Sequence, residues 1–108
     1  MMKGEVWLVE LPAGKGHEQQ GERPALVVGS GSGLAAVIPI TSITESLRFP
    51  FTCSMEPGPR NGLDKKSVAL VFQITTLDER RIRCKLGSLN KEEQNAVDVL
   101  LRSYLRLD

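Results

Sequence analysis

The chain has 108 residues, 41% of them hydrophobic and 25% charged. That length supports one domain with a single core, and the composition excludes a disordered polypeptide. Fourteen Lys and Arg against thirteen Asp and Glu leave a net charge of +1, so bulk charge selects no nucleic-acid partner; such a partner has to be met by a local basic patch.

No apolar run approaches the roughly 18 residues of a membrane span. The N-terminal stretch MMKGEVWLVE reaches an acidic residue too early for a signal peptide. These features predict a cytoplasmic protein with no membrane partner. Cys53 and Cys84 then read as two buried, reduced thiols rather than a disulfide. One histidine and no C-x-x-C pattern argue against a zinc site, and no metal or cofactor is expected.

In chain order, residues 6–11 form a short apolar segment containing Trp7, the first expected strand. Residues 12–22 are a polar loop carrying glycines. Residues 25–28 read as a second strand and the GSGSG segment, 29–33, as a turn. Residues 34–40 read as a third strand, joined to the second as a hairpin. Pro39 has no N–H for a sheet ladder, so that end of the strand is expected at an edge or a bulge. Thr41 and Ser42 follow at once. Residues 49–55 make a fourth strand, and the turn-rich segment 56–64, EPGPRNGLD, an exposed loop. Residues 67–72 are a nearly continuous apolar strand, expected to be buried, and the run from Val68 to Phe72 equally suits a surface covered by a second subunit. Residues 81–86 alternate, which places Arg81, Arg83 and Lys85 on one face and Ile82, Cys84 and Leu86 on the other.

The tail changes period. Asn90 suits a helix N-cap, with Glu93 three residues on as in a capping box. Val97, Leu100, Leu101 and Tyr104 then fall on one stripe facing the sheet. Short strands closed by a C-terminal helix predict a mainly β fold: a small, strongly bent sheet or barrel.

Several patterns invite chemistry. The GSGSG segment does not lead into a helix, and no Lys-Ser/Thr follows it, so it is a hairpin turn rather than a phosphate loop. Nothing in the spacing pairs Cys53 with His17 as a thiol nucleophile and its base. The basic strand face of Arg81, Arg83 and Lys85 suits either a phosphate backbone or plain solvent. Arg23 stands at a loop-to-strand junction stiffened by Pro24. If strands two and three are hairpin neighbours, Arg23 and Thr41 meet at one end of the sheet. A guanidinium and a hydroxyl converging there suit a phosphate. A surface ion pair and a strand-end hydroxyl explain the same two residues equally well.

The stretch GEVWLVELPAGKGHEQQGERPALVV resembles the opening of the MazF/PemK (Kid) family of toxin endoribonucleases. It carries Gly4-Glu5-Val6-Trp7 and then the loop from Gly16 to Pro24, GHEQQGERP. VIPITS, residues 37–42, and SVALVFQITTLDERRI, residues 67–82, are similar to later family segments in order and spacing. The resemblance implies an SH3-like, partly open barrel of the CcdB/PemK-like plasmid maintenance toxin fold, filling residues 1–108, and a homodimer. It implies metal-independent, sequence-selective cleavage of single-stranded mRNA, opposed by a cognate antitoxin. Arg23 would be the main catalytic residue and Thr41 would position the scissile phosphate. Glu18, Gln19 and Gln73 would support the site or contact RNA; Ser42 beside Thr41, the basic residues Arg81, Arg83 and Lys85, and His17 are candidates for the same role on their own chemistry. Phe72, Thr75 and His17 depart from the family pattern, where an acid, an arginine and a small residue are frequent.

The implied reaction requires no protein nucleophile, because the RNA 2′-hydroxyl attacks its own phosphorus. The protein has to supply positioning, charge stabilisation and proton transfer. DNA, which lacks the 2′-hydroxyl, should not be cut. Two other readings share the fold: a non-catalytic CcdB-like gyrase inhibitor, and a degenerate relative that binds RNA or antitoxin without cutting.

Overall fold

The computed structural model describes residues 1–12 and 21–107. Within them the chain forms β1 (Glu5–Leu11), β2 (Gly21–Gly31), β3 (Leu34–Thr41), β4 (Thr52–Met55), β5 (Ser67–Leu70), β6 (Thr75–Asp78) and β7 (Ile82–Ser88), followed by helix α1 (Lys91–Leu105). The strands pair antiparallel in the order β4-β5-β3-β2-β1-β7, and β6 joins β3 off this path. The result is the expected mainly β architecture: an open, bent sheet with one C-terminal helix. Among the described residues no helix is long and apolar enough to cross a membrane.

Consecutive side chains on a strand face opposite sides, and here both sides are buried. Leu26, Ile38, Ile40 and Val6 enter one cluster with Val71, Leu89 and the helix residue Val97. Their neighbours Ala25, Val27, Val37 and Val9 enter a second cluster with Leu11 and Leu77, covered by Trp7, Met1 and Ile82. Double burial is why β2 and β3 read as unbroken apolar runs rather than alternating ones. The run Val68, Ala69, Leu70 and Val71 is likewise buried within the chain, so it leaves no surface there that calls for a second subunit.

β3 is the strand on which the others converge. β2 lines one of its edges. Along the other, β6 pairs from Leu34 to Val37, and β5 pairs at Ile40 and Thr41. Pro39 therefore does not mark a sheet edge, as its sequence suggests. It lies in the central strand, at the gap where one partner strand gives way to the next. The break in pairing falls where proline has no N–H to donate.

The β2–β3 hairpin closes tightly, with Gly31 opposite Leu34. Ser32 and Gly33 both have positive φ, 55° and 80°. This is the geometry of a type I′ turn, whose twist matches that of its flanking strands.

Three further departures have local causes. The segment after β5 turns through a 3-10 helix, Val71–Gln73, before β6, a strand that has no clear apolar alternation and that the sequence reading lacks. The 56–64 loop is not simply exposed, because Asn61 and Leu63 are buried. Asn61 Nδ2 donates to the Glu56 carbonyl and to Glu93 of α1, and its Oδ1 accepts from the Leu63 N–H. Gly62 sits at φ +74°, where a Cβ would strike the Leu86 backbone. Finally, the alternation in β7 is broken. The β1–β7 register shifts between Val6 and Trp7 and again between Leu8 and Val9. These bulges leave Cys84 exposed rather than buried, and send Lys85 and Arg83 to different partners. Cys53 is half-buried, and burial raises its thiol pKa.

α1 begins as its sequence predicts. The Asn90 side chain accepts from the Glu93 N–H at 2.8 Å, and the Glu93 carboxylate accepts from the Asn90 N–H at 3.0 Å. Val97 is fully buried, with Leu100 and Leu101 packed beside it. Tyr104 meets Phe51 edge-on and donates its hydroxyl to the Phe72 carbonyl at 3.0 Å.

Glu5 ties the N-terminus and its own strand to β7. Its carboxylate accepts from the Met2 N–H at 2.9 Å and the Trp7 indole at 3.0 Å, and pairs with Lys85 of β7 at 2.9 Å. The Met2 and Trp7 hydrogen bonds, then Lys85, lower its pKa from 4.5 to about 2. The group therefore stabilises the fold above pH 4.5, and that contribution disappears as the pH falls toward 2. Glu5→Gln is expected to cost about 1–2 kcal/mol at pH 7 after allowance for solvent screening. The two stabilities, followed by urea denaturation, should converge between about pH 5 and pH 2. Parallel curves over that range would assign the stabilisation elsewhere.

Candidate active site

The β2–β3 register places Ala25 opposite Pro39. Two residues further along, Arg23 and Thr41 come to the same end of the hairpin. Both line a cleft of about 310 Å³, together with Pro24, Ser42, Asp64 and Lys65. The expected convergence of Arg23 and Thr41 is thus present, with Ser42 beside them.

Each side chain is held differently. Arg23 lies in β2 opposite Val9 of β1, and Pro24 follows it opposite Leu8. Its backbone is anchored while its guanidinium is exposed. Nη1 donates to the Glu22 carbonyl at 3.1 Å. Among the described residues no carboxylate forms an ion pair with Arg23, and the neighbouring Glu22 carboxylate turns to Arg83, 3.9 Å away. Thr41 is the opposite case. It is buried, pairs with Val68 of β5, and its Oγ1 accepts from the Ile43 N–H at 3.2 Å. That bond uses the oxygen as acceptor and leaves the hydroxyl proton to donate. The cleft therefore holds a fixed hydroxyl beside an exposed planar cation, a pair suited to an oxyanion such as a phosphate.

Further lining comes from the end of the 56–64 loop and the residues after it, Leu63, Asp64, Lys65 and Ser67; the sequence singles out neither Lys65 nor Ser67 for the site. Their only linear signal is a pair of lysines before an apolar strand, which is indistinguishable from an ordinary solvated surface.

Gln73 lies in an adjoining cleft of about 350 Å³, with Leu11, Pro12, Pro39, Phe72 and Thr75. Pro39 and Thr41 are two residues apart on β3, so they face the same side, about 7 Å from each other. Phe72 packs against Phe49 with ring centres 5.6 Å apart.

Arg81, Arg83 and Lys85 line neither cleft. Arg83 pairs with Glu10 at 2.9 Å, Arg81 with the same carboxylate at 3.5 Å, and Lys85 with Glu5. Glu5 and Glu10 project from opposite faces of β1, so the three cations do not form one basic face. All three stay partly exposed. His17, Glu18 and Gln19 lie outside the described residues. Among the described residues no three His, Cys, Asp or Glu side chains gather as a metal site.

Comparison with known proteins places the family and the fold. A family model described as PemK-like, MazF-like toxin of type II toxin–antitoxin system matches residues 2–105. The chain is 34% identical over 110 aligned residues to the endoribonuclease MazF of Staphylococcus saprophyticus, covering 94% of this chain and 91% of that protein. It superposes on a crystal structure of MazF from Deinococcus radiodurans with a TM-score of 0.77 at 28% identity, over 96% of this chain and 94% of that one. An endoribonuclease from a mycobacterial species, solved in complex with its cognate antitoxin, shares the fold with a TM-score of 0.76 at 19% identity, over 100% and 97% of the two chains.

Thr41→Val retains the β-branched shape but strands the Ile43 N–H. It is expected to lower stability by about 1–2 kcal/mol in urea denaturation, with an unchanged m-value. Wild-type stability in the variant would mean that the Thr41–Ile43 bond does not hold this corner.

Proposed function

This chain belongs to the PemK-like, MazF-like toxin family of type II toxin–antitoxin systems, and on that premise we propose that it is an endoribonuclease that cuts single-stranded mRNA at selected sequences without a metal ion. The observation that carries this reading is the convergence of Arg23 and Thr41 in one cleft, with the Arg23 guanidinium unclaimed by any described carboxylate.

The nucleophile belongs to the substrate. The 2′-oxygen attacks the adjacent phosphorus, and the 2′O–P bond forms as the P–O5′ bond breaks. The 2′ proton is removed and a proton reaches the departing 5′ oxygen, so the products are a 2′,3′-cyclic phosphate and a 5′-hydroxyl. Negative charge builds on the non-bridging oxygens in between. Arg23 meets that charge with donors fixed in a plane, and Thr41 adds a hydrogen bond from a rigid corner. Stabilisation of this kind acts mainly on the transition state, so it raises turnover rather than substrate affinity. Ser42 borders the same cleft and Gln73 the adjoining one, positions from which they contact flanking RNA. Glu18 and Gln19 enter the site by family resemblance; His17 departs from the family pattern and enters only as a residue type able to carry a proton near neutral pH. Arg81, Arg83 and Lys85 act, on this reading, through their ion pairs and partial exposure at the periphery.

The proposal includes a cytoplasmic homodimer restrained by a cognate antitoxin. The family assignment supports the antitoxin, as does the mycobacterial endoribonuclease solved with one.

Purified protein incubated with a long single-stranded RNA in EDTA should yield discrete fragments bearing cyclic phosphates. Arg23→Ala should lower the rate by at least about 10²-fold while keeping the wild-type fold by circular dichroism, because the side chain is exposed. An undiminished rate in that variant removes Arg23 from the mechanism. Intact RNA with folded wild-type protein would favour a binding toxin, and DNA gyrase inhibition would then separate the CcdB-like reading from an RNA-binding relative that does not cut.

A further inference from the structure

Two adjacent lysines, Lys65 and Lys66, precede β5, and the structure gives them different fates. Lys66 pairs with Glu56 at 3.8 Å. Lys65 makes no ion pair with any described residue, and it lines the Arg23–Thr41 cleft from the segment that leads into β5.

The backbone that carries Lys65 is unusually well held for a surface loop. The Ser67 hydroxyl donates to the Lys65 carbonyl at 2.9 Å, and Ser67 itself is buried at the start of β5. On the other side, Leu63 is buried and Asn61 is bound to the loop and to α1. A flexible ammonium thus stands on a fixed base at the rim of the cleft. Asp64 lines the same cleft, yet it forms no ion pair with Lys65.

We propose that Lys65 is a substrate-binding residue of this site, holding a backbone phosphate of single-stranded RNA next to the one engaged by Arg23 and Thr41. The assignment rests on the nuclease reading above for the identity of the polymer. The chemistry fits a flanking phosphate better than the reacting one. An ammonium on a four-carbon stem is a mobile point charge without the planar fork of arginine, so it neutralises charge rather than orienting a transition state. Each phosphate neutralised on a single strand releases bound counterions, and it contributes about 0.7 to the slope of log affinity against log salt.

The test separates binding from cleavage. A single-stranded 2′-O-methyl RNA lacks the attacking hydroxyl and so reports affinity alone. Lys65→Ala should weaken binding of this probe about fivefold and flatten its salt slope by about 0.7. Lys65→Arg should restore both, and Lys66→Ala should change neither. On cleavable RNA, Lys65→Ala should raise KM with kcat held. Wild-type affinity and slope in Lys65→Ala overturn the proposal, and so does a fall in kcat at constant KM, which would make Lys65 a transition-state group. Wild-type protein that binds the probe but cuts no RNA overturns the nuclease reading and leaves the Lys65 assignment standing. Protein that binds no RNA overturns both.

Discussion

Everything in this molecule is arranged around the hydrogen-bonding edges of β3. One edge pairs with β2 from Leu34 to Pro39, and continuing that register brings Arg23 and Thr41 into one cleft. The other edge is divided, with β6 on its first half and β5 on its second. A strand that must serve three partners has to contain a place where pairing lapses, and Pro39 occupies it. The lapse is also where the second cleft opens, so the residue that cannot donate to the sheet helps line a cavity beside the phosphate-suited corner. Burial on both faces makes this arrangement stiff. Ala25, Val27, Val37 and their alternates cannot shift by one residue without exchanging both cores.

Electrostatics complete the picture by subtraction. A net charge of +1 hides a surface on which several cations are already committed to ion pairs. Glu10 alone gathers Arg81 and Arg83, Glu5 takes Lys85, Glu56 takes Lys66, and Asp98 takes Lys3. Such exposed pairs contribute little to stability. Their larger effect is to cancel field over much of the surface. Arg23 and Lys65 both line one cleft with no ion pair among the described residues, so uncancelled positive charge is present there. That placement matters for an anionic polymer, which samples many charged surfaces but is held where uncancelled charge coincides with a fixed hydrogen-bond donor.

The helix contributes at a distance. Glu93 closes the capping box of α1, and its other oxygen accepts from Asn61. The same loop then delivers Lys65. At the far end of the helix, Tyr104 bonds the backbone of Phe72, the aromatic residue of the second cleft. Both clefts therefore rest partly on the C-terminal helix, although none of its residues lines them. A side chain placed by several rigid elements loses less freedom when it binds, which is how a small protein achieves preorganisation.

By itself the sequence determined whatever depends on neighbours along the chain. The capping box at Asn90, the apolar stripe of α1, a glycine-bearing turn after β2 and a buried run at Val68 are all local patterns; the first two appear where they were expected, while the turn narrows to Ser32 and Gly33 because β2 runs on to Gly31, and the buried strand ends at Leu70 rather than Phe72. The meeting of Arg23 and Thr41 was legible too, because a hairpin couples its strand ends through a short turn. Only the tertiary structure decided the rest. The bulges opposite β1 split a regular alternation at Arg83 and Lys85, and bulges arise from the pairing of two strands, not from either strand alone. β6 lacks an alternating pattern of its own and exists because β3 offers it an edge. Lys65 and Lys66 are alike in sequence; Glu56 takes one and the cleft receives the other because of where the folded loop puts them. The linear code specifies contacts a few residues apart, whereas the partner of an exposed charge is set by which distant carboxylate the fold brings within reach.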